Sequence, residues 1–284
     1  MSSIKKISKP DWLKINLATG EKYSQVKKTV SEHNLHTICS SGKCPNLAEC
    51  WGKGTATFMI LGEICTRSCK FCATKTGKPL IFDPEEPKKI ANSVKILNLN
   101  HCVITSVVRD DLPDGGAAHW AETIQYIKKE NPETTIEVLI PDFNGDKSCI
   151  NQIIASKPDI ISHNLETVKR ITAKIRSKAK YELSLKVVKI ISESNTISKS
   201  GIMVGLGETD TEVYQTMDDL KKVGCQIITI GQYLQPTKAH WQIDRYVHPD
   251  TFKKYKEYAL SIGFKKADCA PLVRSSYHAE KHVL

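Results

Sequence analysis

No uninterrupted apolar run in this sequence approaches the length needed to cross a bilayer, and its basic start, MSSIKKISKP, lacks the apolar stretch of a secretory signal. Disulfide density is missing as well. Ten cysteines in 284 residues are too sparse for a small secreted scaffold. No internal repeat or low-complexity segment breaks the chain, and none of the nine histidines stands at metal-binding spacing from another. His36, His101 and His240 read as packing or surface residues. These absences set aside a helical membrane protein and a disulfide-stapled domain. They leave a globular chain of a reducing compartment, expected in the cytoplasm, whose thiolates stay free to bind metal. With 40% apolar residues it can bury a full core.

What is present is concentrated. Six of the ten cysteines form two clusters of three, Cys39-x4-Cys44-x5-Cys50 and Cys65-x3-Cys69-x2-Cys72. Three thiolates hold three corners of a four-iron cluster and leave the fourth iron open. The pattern therefore points to two [4Fe–4S] clusters, each with one unusual corner. A structural zinc site usually shows paired C-x2-C knuckles and four ligands, which the second cluster does not. Phe71 inside that loop would shield one side of a bound cluster from water. Cys102, Cys149, Cys225 and Cys269 lie in or beside expected strands and helices and read as small buried residues.

The net charge of +10 favours an acidic partner, although lysines spread along the chain also suit a solvated helical surface. From Thr55 onward, strand-like runs at 55–62, 101–107, 134–141, 159–165, 197–206 and 225–234 alternate with helical patterns at 86–98, 117–130, 146–156, 181–194 and 210–223, and a further helix covers 249–261. The helix at Asp210 opens on Thr209-Asp210 and ends at Gly224. Six such units fall short of a closed eight-fold barrel and favour an open partial barrel, with a doubly wound sheet as the competing architecture. Residues 1–54 are expected to wrap as an N-terminal extension onto a body of 55–263, followed by a C-terminal extension of 264–284.

Reactive groups in parallel α/β folds gather at the carboxyl ends of strands, where the second cysteine cluster falls. Asn164 and Glu166 follow the fourth run, Lys199 and Met203 lie on the fifth, and Gln232, Tyr233 and Gln235 end the sixth. The loop at 109–116 is polar and glycine-containing, suited to approach a ligand with its backbone.

In chain order CPNLAECW, GEICTR-x-C-x-FC, TSVVRDDLPDGGA, NLETV, KSGIMVGLGE, GQYLQPT and LVRSSYHA resemble the lipoyl synthase family, within the radical S-adenosylmethionine (SAM) superfamily. The resemblance runs from about Trp12 to the end of the sequence. It implies a partial (β/α)6 TIM-like barrel of the radical SAM type with N- and C-terminal extensions. It implies that Cys65, Cys69 and Cys72 hold the cluster that binds and cleaves SAM, giving a radical that removes hydrogen from C6 and C8 of an octanoyl chain. Cys39, Cys44 and Cys50 would hold an auxiliary cluster, with Ser276 of the RSSY segment as fourth ligand, and that cluster would donate the sulfur. Asn164, Glu166, Lys199, Gln232 and Tyr233 become candidates for contacting SAM, and Arg274 for closing the site. Implied partners are an octanoylated lipoyl carrier domain (a dehydrogenase E2 subunit or the glycine cleavage H protein), an electron donor such as ferredoxin or flavodoxin, and a cluster-repair carrier. Neither nucleic acid nor membrane is expected.

Departures from the family pattern are Ser40-Ser41-Gly42-Lys43, Val108 and Asp268-Cys269-Ala270, none of which removes a cluster ligand. A biotin synthase-like sulfurtransferase acting on a free small molecule is the alternative, but it gives no reason for Ser276 or for the Cys39–Cys50 spacing. A tRNA methylthiotransferase would be expected to carry a further RNA-binding domain. A two-cluster electron carrier would need four cysteines per cluster.

Overall fold

The computed structural model describes residues 8–15 and 20–283, so the basic opening residues lie outside the described part. Among the described residues, ten strands and ten α-helices follow one another. The first helices are α1 (Glu21–Glu32), α2 (Ile38–Ser41) and α3 (Leu47–Gly52), with the short strand β1 (His36–Thr37) before α2. Then come β2 (Thr57–Ile60), the small pair β3 (Ile64–Cys65) and β4 (Lys75–Thr76), α4 (Glu86–Ile96), β5 (His101–Ser106) and α5 (Ala117–Glu130). The middle holds β6 (Thr135–Leu139), α6 (Lys147–Ala155), β7 (Ile160–Ser162), α7 (Lys169–Ile175), α8 (Tyr181–Ser192) and β8 (Ile197–Val204). The last elements are α9 (Asp210–Lys222), β9 (Ile227–Gln232), α10 (Pro249–Ser261) and β10 (Lys266–Cys269).

The main sheet runs β1-β2-β5-β6-β7-β8-β9-β10. From β2 to β10 every neighbouring pair is parallel, and each strand lies beside its predecessor in that order. A doubly wound sheet would reverse direction at a switch point. This one never does, so it curls one way as a barrel does, and it stays open with β1 and β10 at its edges. All six expected strands are present. The seventh parallel strand, β10, comes from the segment read as a C-terminal extension, and β1, antiparallel to β2, comes from the N-terminal one.

Strands covered on both faces read as continuous apolar runs, and β2, β7 and β9 are buried at every residue. One core cluster packs β2, β5 and β6 against α4 to α6 and includes Phe58, Ile104, Trp120 and Ile153. A second packs β8 and β9 under α7 to α10 around Val204, Met217, Ile230 and Tyr255. The helix α9 opens on a reciprocal capping box between Thr209 and Glu212. Its chain leaves through Gly224 at φ +87°, where a Cβ would sit 2.8 Å from Ser192 Oγ. The N-terminal helices have a small satellite core of Val26, Cys39, Trp51 and Ala56. Among the described residues, no helix is long and apolar enough to cross a membrane.

Candidate metal centre

Cys65 ends β3, and the loop carrying Cys69 and Cys72 follows, at the carboxyl end of the barrel strands. The loop is held mostly through its backbone. Ser68 N–H donates to Ser177 Oγ at 3.2 Å, Lys70 N–H to Ile175 O at 2.7 Å, and Trp241 N–H to Lys70 O at 2.8 Å. His240 Nε2 lies 3.0 Å from Cys72 O. Cys65 Sγ accepts from the N–H groups of Arg67 and Val108, both at 3.4 Å. Such donors stabilise negative charge on sulfur and help set a cluster's potential.

Arg67, inside the CTRSC loop, is the anchor that the sequence did not reveal. Its guanidinium is buried and donates to both carboxylate oxygens of Asp110 (2.9 and 2.8 Å), to both of Asp142 (each 2.8 Å) and to Asn144 Oδ1 (2.9 Å). Hydrogen bonding to Arg67 lowers the Asp110 carboxyl to about 2. Arg109 pairs with Asp111 and donates to Leu61 O at 3.1 Å. The charges of the 109–116 loop thus bind neighbouring protein.

The first cysteine set is assembled from distant pieces. Cys39 belongs to α2, Cys44 to the following turn and Cys50 to α3. All three line a cavity of about 580 Å³ together with Thr57, Val103, Arg274 and Ser276. Thr57 begins β2, so this cavity opens at the amino end of the strands, opposite the Cys65–Cys72 loop. Burial raises the Cys39 and Cys44 thiols, and that of Cys50 reaches about 12, the neighbouring cysteines adding to the rise; Arg274 opposes it at Cys44. Ser276 Oγ makes no hydrogen bond among the described residues.

Does the donor set fit iron–sulfur clusters? Among the described residues no three His, Cys, Asp or Glu side chains converge on one ion. Cysteines on a four-iron cluster each bind a different iron and stand further apart than ligands of a single ion. Within each triad the thiols are near enough to raise one another's pKa. Two sets of three neighbouring thiols, one of them with a free hydroxyl lining the same cavity, fit the clusters.

The other sequence candidates divide. Asn164 and Glu166 follow β7, and Glu166 sits at φ 69°, a strained backbone held by its bridge to Ile202. Burial raises the Glu166 carboxyl, with Arg176 as the nearby opposing charge. The polar atoms of Lys199, Gln232 and Tyr233 are taken up by protein partners. Lys199 lies near the amino end of β8, in register with the first residue of β9, away from the Cys65–Cys72 loop. Its buried ammonium contacts both oxygens of Glu137 at 2.7 and 2.8 Å, Ser275 O at 2.7 Å and His282 Nδ1 at 2.8 Å. Gln232 Nε2 donates to Val204 O, Tyr233 O and Arg245 O, and its Oε1 accepts from Val247 N–H. Tyr233 OH donates to Trp241 O at 2.7 Å. Their polar atoms join strands and loops to one another.

Arg176 is a further residue missed in the sequence, where it blends into a basic helical stretch. It directly follows Ile175, whose carbonyl holds Lys70 of the cysteine loop. Its Nη1 donates to Leu165 O and Ser184 Oγ, while its buried Nε has no partner among the described residues.

A model of the radical SAM superfamily matches residues 59–220, and one of the N-terminal domain of lipoyl synthase matches residues 2–44. Lipoyl synthase of Bacteroides fragilis strain YCH46 is 61% identical over 283 residues, covering 100% of this chain and 98% of the relative. That of Treponema denticola is 55% identical over 97% and 95%, and that of Flavobacterium johnsoniae 52% over 98% and 96%. Among solved structures, methylornithine synthase (PylB) is similar at a TM-score of 0.57 with 11% identity, covering 90% of this chain and 84% of that one. The hydrogenase maturase HydG from Carboxydothermus hydrogenoformans gives 0.59 with 13% identity, over 92% and 76%. At such identities these two show the fold alone. Full-length identity above one half, joined to two cysteine triads on an open parallel barrel, leads to one conclusion: the chain belongs to the lipoyl synthase family of the radical SAM superfamily.

Proposed function

We propose that the chain is a radical SAM sulfurtransferase that replaces one hydrogen at C6 and one at C8 of an octanoyl group with sulfur, the octanoyl being carried on a lysine of a lipoyl carrier domain. The observation that carries this reading is the single cavity lined by Cys39, Cys44, Cys50 and Ser276, at the opposite ends of the strands from the Cys65–Cys72 loop.

Cys65, Cys69 and Cys72 would hold a [4Fe–4S] cluster with an open iron for SAM. With both bound, the site supplies a 5′-deoxyadenosyl radical, because an unactivated methylene C–H lies beyond any side-chain acid, base or nucleophile. The protein's part is positioning. The Arg67–Asp110–Asp142 cluster fixes the loop. By charge, Glu166 suits the amino group of SAM and Arg176 its carboxylate, with Asn164 beside them. Lys199, Gln232 and Tyr233 shape the barrel that carries these groups.

Cys39, Cys44, Cys50 and Ser276 would hold the auxiliary [4Fe–4S] cluster, here a sulfur-donating co-substrate. A serine oxygen is a poorer ligand for iron in a sulfide cluster than a thiolate, so Ser276 provides a replaceable bond. Arg274, beside Cys44, closes this cavity and balances thiolate charge. Residues 1–54 and 264–284 then act as the two extensions that build the donor site onto the 55–263 barrel, with β10 joining the barrel sheet. An electron donor of the ferredoxin or flavodoxin kind, a cluster-repair carrier and a cytoplasmic location complete the reading. The +10 charge would steer an acidic carrier domain; carrier association that ignores ionic strength removes that part.

The test is anaerobic incubation of reconstituted protein with SAM, a reductant and an octanoylated carrier peptide. A peptide with the C–H bonds at C6 and C8 converted to C–SH, a net gain of two sulfurs as the dithiol, is expected. Formation of 5′-deoxyadenosine without any sulfur in the peptide contradicts the reading.

A further inference from the structure

Ser276 is gripped on both sides, although its own hydroxyl is free. Arg274 to Tyr277 form a turn closed by Tyr277 N–H donating to Arg274 O at 3.0 Å, which places Ser276 third in a four-residue bend. On the leading side, Ser275 O accepts from Lys199 Nζ at 2.7 Å, and Ser275 Oγ donates to Asn164 Oδ1 at 3.3 Å. Lys199 is itself fixed inside the barrel by Glu137, and His282, which meets Asp268 at 2.6 Å through its other nitrogen, brings the end of the C-terminal segment to the same ammonium. On the trailing side, Tyr277 OH donates to the two oxygens of Glu49 at 3.1 and 3.0 Å. Glu49 adjoins Cys50 on α3, and Asn46, at the start of that helix, donates to Leu272 O at 2.7 Å.

We infer that Lys199 and Tyr277 are positioning residues that present Ser276 to the cysteine triad before any metal arrives, Lys199 registering the turn to the barrel and Tyr277 registering it to the helix carrying Cys50. The inference rests on the reading of Ser276 as the replaceable fourth ligand. Its geometry explains how a weak ligand is kept in place: the turn fixes the backbone on either side, so the oxygen returns to one position without an added hydrogen bond that would compete with iron. It also explains the buried charge pair. An ammonium and a carboxylate taken out of water cost stability unless fully hydrogen-bonded, and here the satisfied pair holds the one carbonyl adjacent to Ser276.

The test begins with amide hydrogen exchange of the metal-free protein. Tyr277→Phe removes one hydroxyl and leaves the ring. Lys199→Met alone would strand Glu137, so Lys199→Met with Glu137→Met removes both charges at similar volume. Exchange at residues 274–278 should rise roughly tenfold in Tyr277→Phe, which loses a hydrogen bond to the part-exposed Glu49 carboxylate, and on the order of a hundredfold in the double variant, which loses the buried ammonium–carbonyl bond to Ser275 O. Exchange in α9 should not change. In reconstituted protein, the 5′-deoxyadenosine formed per sulfur inserted should rise in the same order. Exchange at 274–278 unaltered in Tyr277→Phe overturns the inference, whether or not the double variant folds. Faster exchange together with full sulfur insertion by Ser276→Ala would instead overturn the ligand role of Ser276 and leave the clamp standing.

Discussion

The two cysteine triads are built in opposite ways. Cys65, Cys69 and Cys72 sit on one short loop whose backbone is tied to Ile175 and Trp241 and whose Arg67 is locked between the buried Asp142 and the half-buried Asp110. Cys39, Cys44 and Cys50 come from an extension with its own small core, and Ser276 reaches them from more than two hundred residues along the chain. A resident centre gains from a single rigid loop that does not change as the enzyme turns over. A centre that is taken apart in each cycle gains from composite walls, since its ligands can separate without unravelling the barrel. The difference in construction therefore matches the difference in fate proposed for the two clusters.

The largest effect that sharpens this contrast comes from Cys69→Ala. SAM cleavage should fall to background, read as 5′-deoxyadenosine, and sulfur insertion with it; normal formation of 5′-deoxyadenosine breaks the assignment of this triad. Cys44→Ala should remove only half of the chemistry. Cleavage of SAM remains measurable while sulfur in the carrier peptide disappears, and any lipoyl product from that variant places the sulfur source elsewhere.

Arg67→Met tests the rigidity of the loop. It leaves Asp142 buried with no cation and should lower stability by about 3–5 kcal/mol in denaturant unfolding of the metal-free protein. A loss below about 1 kcal/mol, the scale of an exposed pair, would mean the loop is held by something else. The smallest effect is acid sensitivity. Asp110 falls from the ordinary 3.8 to about 2 in the fold. A carboxyl lowered in this way stabilises the protein above its unfolded pKa, and that contribution is lost as pH drops from about 4 towards about 2. Unfolding followed across that window should show a steeper loss in the parent than in Arg67→Met. Equal slopes contradict the coupling.

Much of the barrel was legible in the sequence because its strands are buried on both faces and stand out as apolar runs between helical patterns; all six appear, with the cap at Thr209 and the exit at Gly224. The edge strands β1 and β10 were not, since His36–Thr37 and Lys266–Cys269 are short and mixed in polarity. The cysteines announced themselves by spacing alone. The protein partners of Lys199, Gln232 and Tyr233 were not legible, because a polar residue on a strand looks the same whether it faces a ligand or joins its neighbours, and Glu137, which pairs with Lys199, lies 62 residues away on β6. Arg67 was hidden for the same reason, as Asp110 and Asp142 are 43 and 75 residues distant. Ser276 stood out only through the likeness of LVRSSYHA to a family, for nothing local sets one serine apart from another.

Iron and acid-labile sulfide, counted per chain in anaerobic protein before and after one turnover on an octanoylated peptide, test the division between the two triads most directly. About eight of each at the start is expected for two four-iron clusters, falling to about four of each in protein freed of small molecules, as two sulfurs enter the peptide and the other two leave as free sulfide with the iron. A count of about four at the start, zinc in place of iron, or an undiminished eight after product has formed would contradict it.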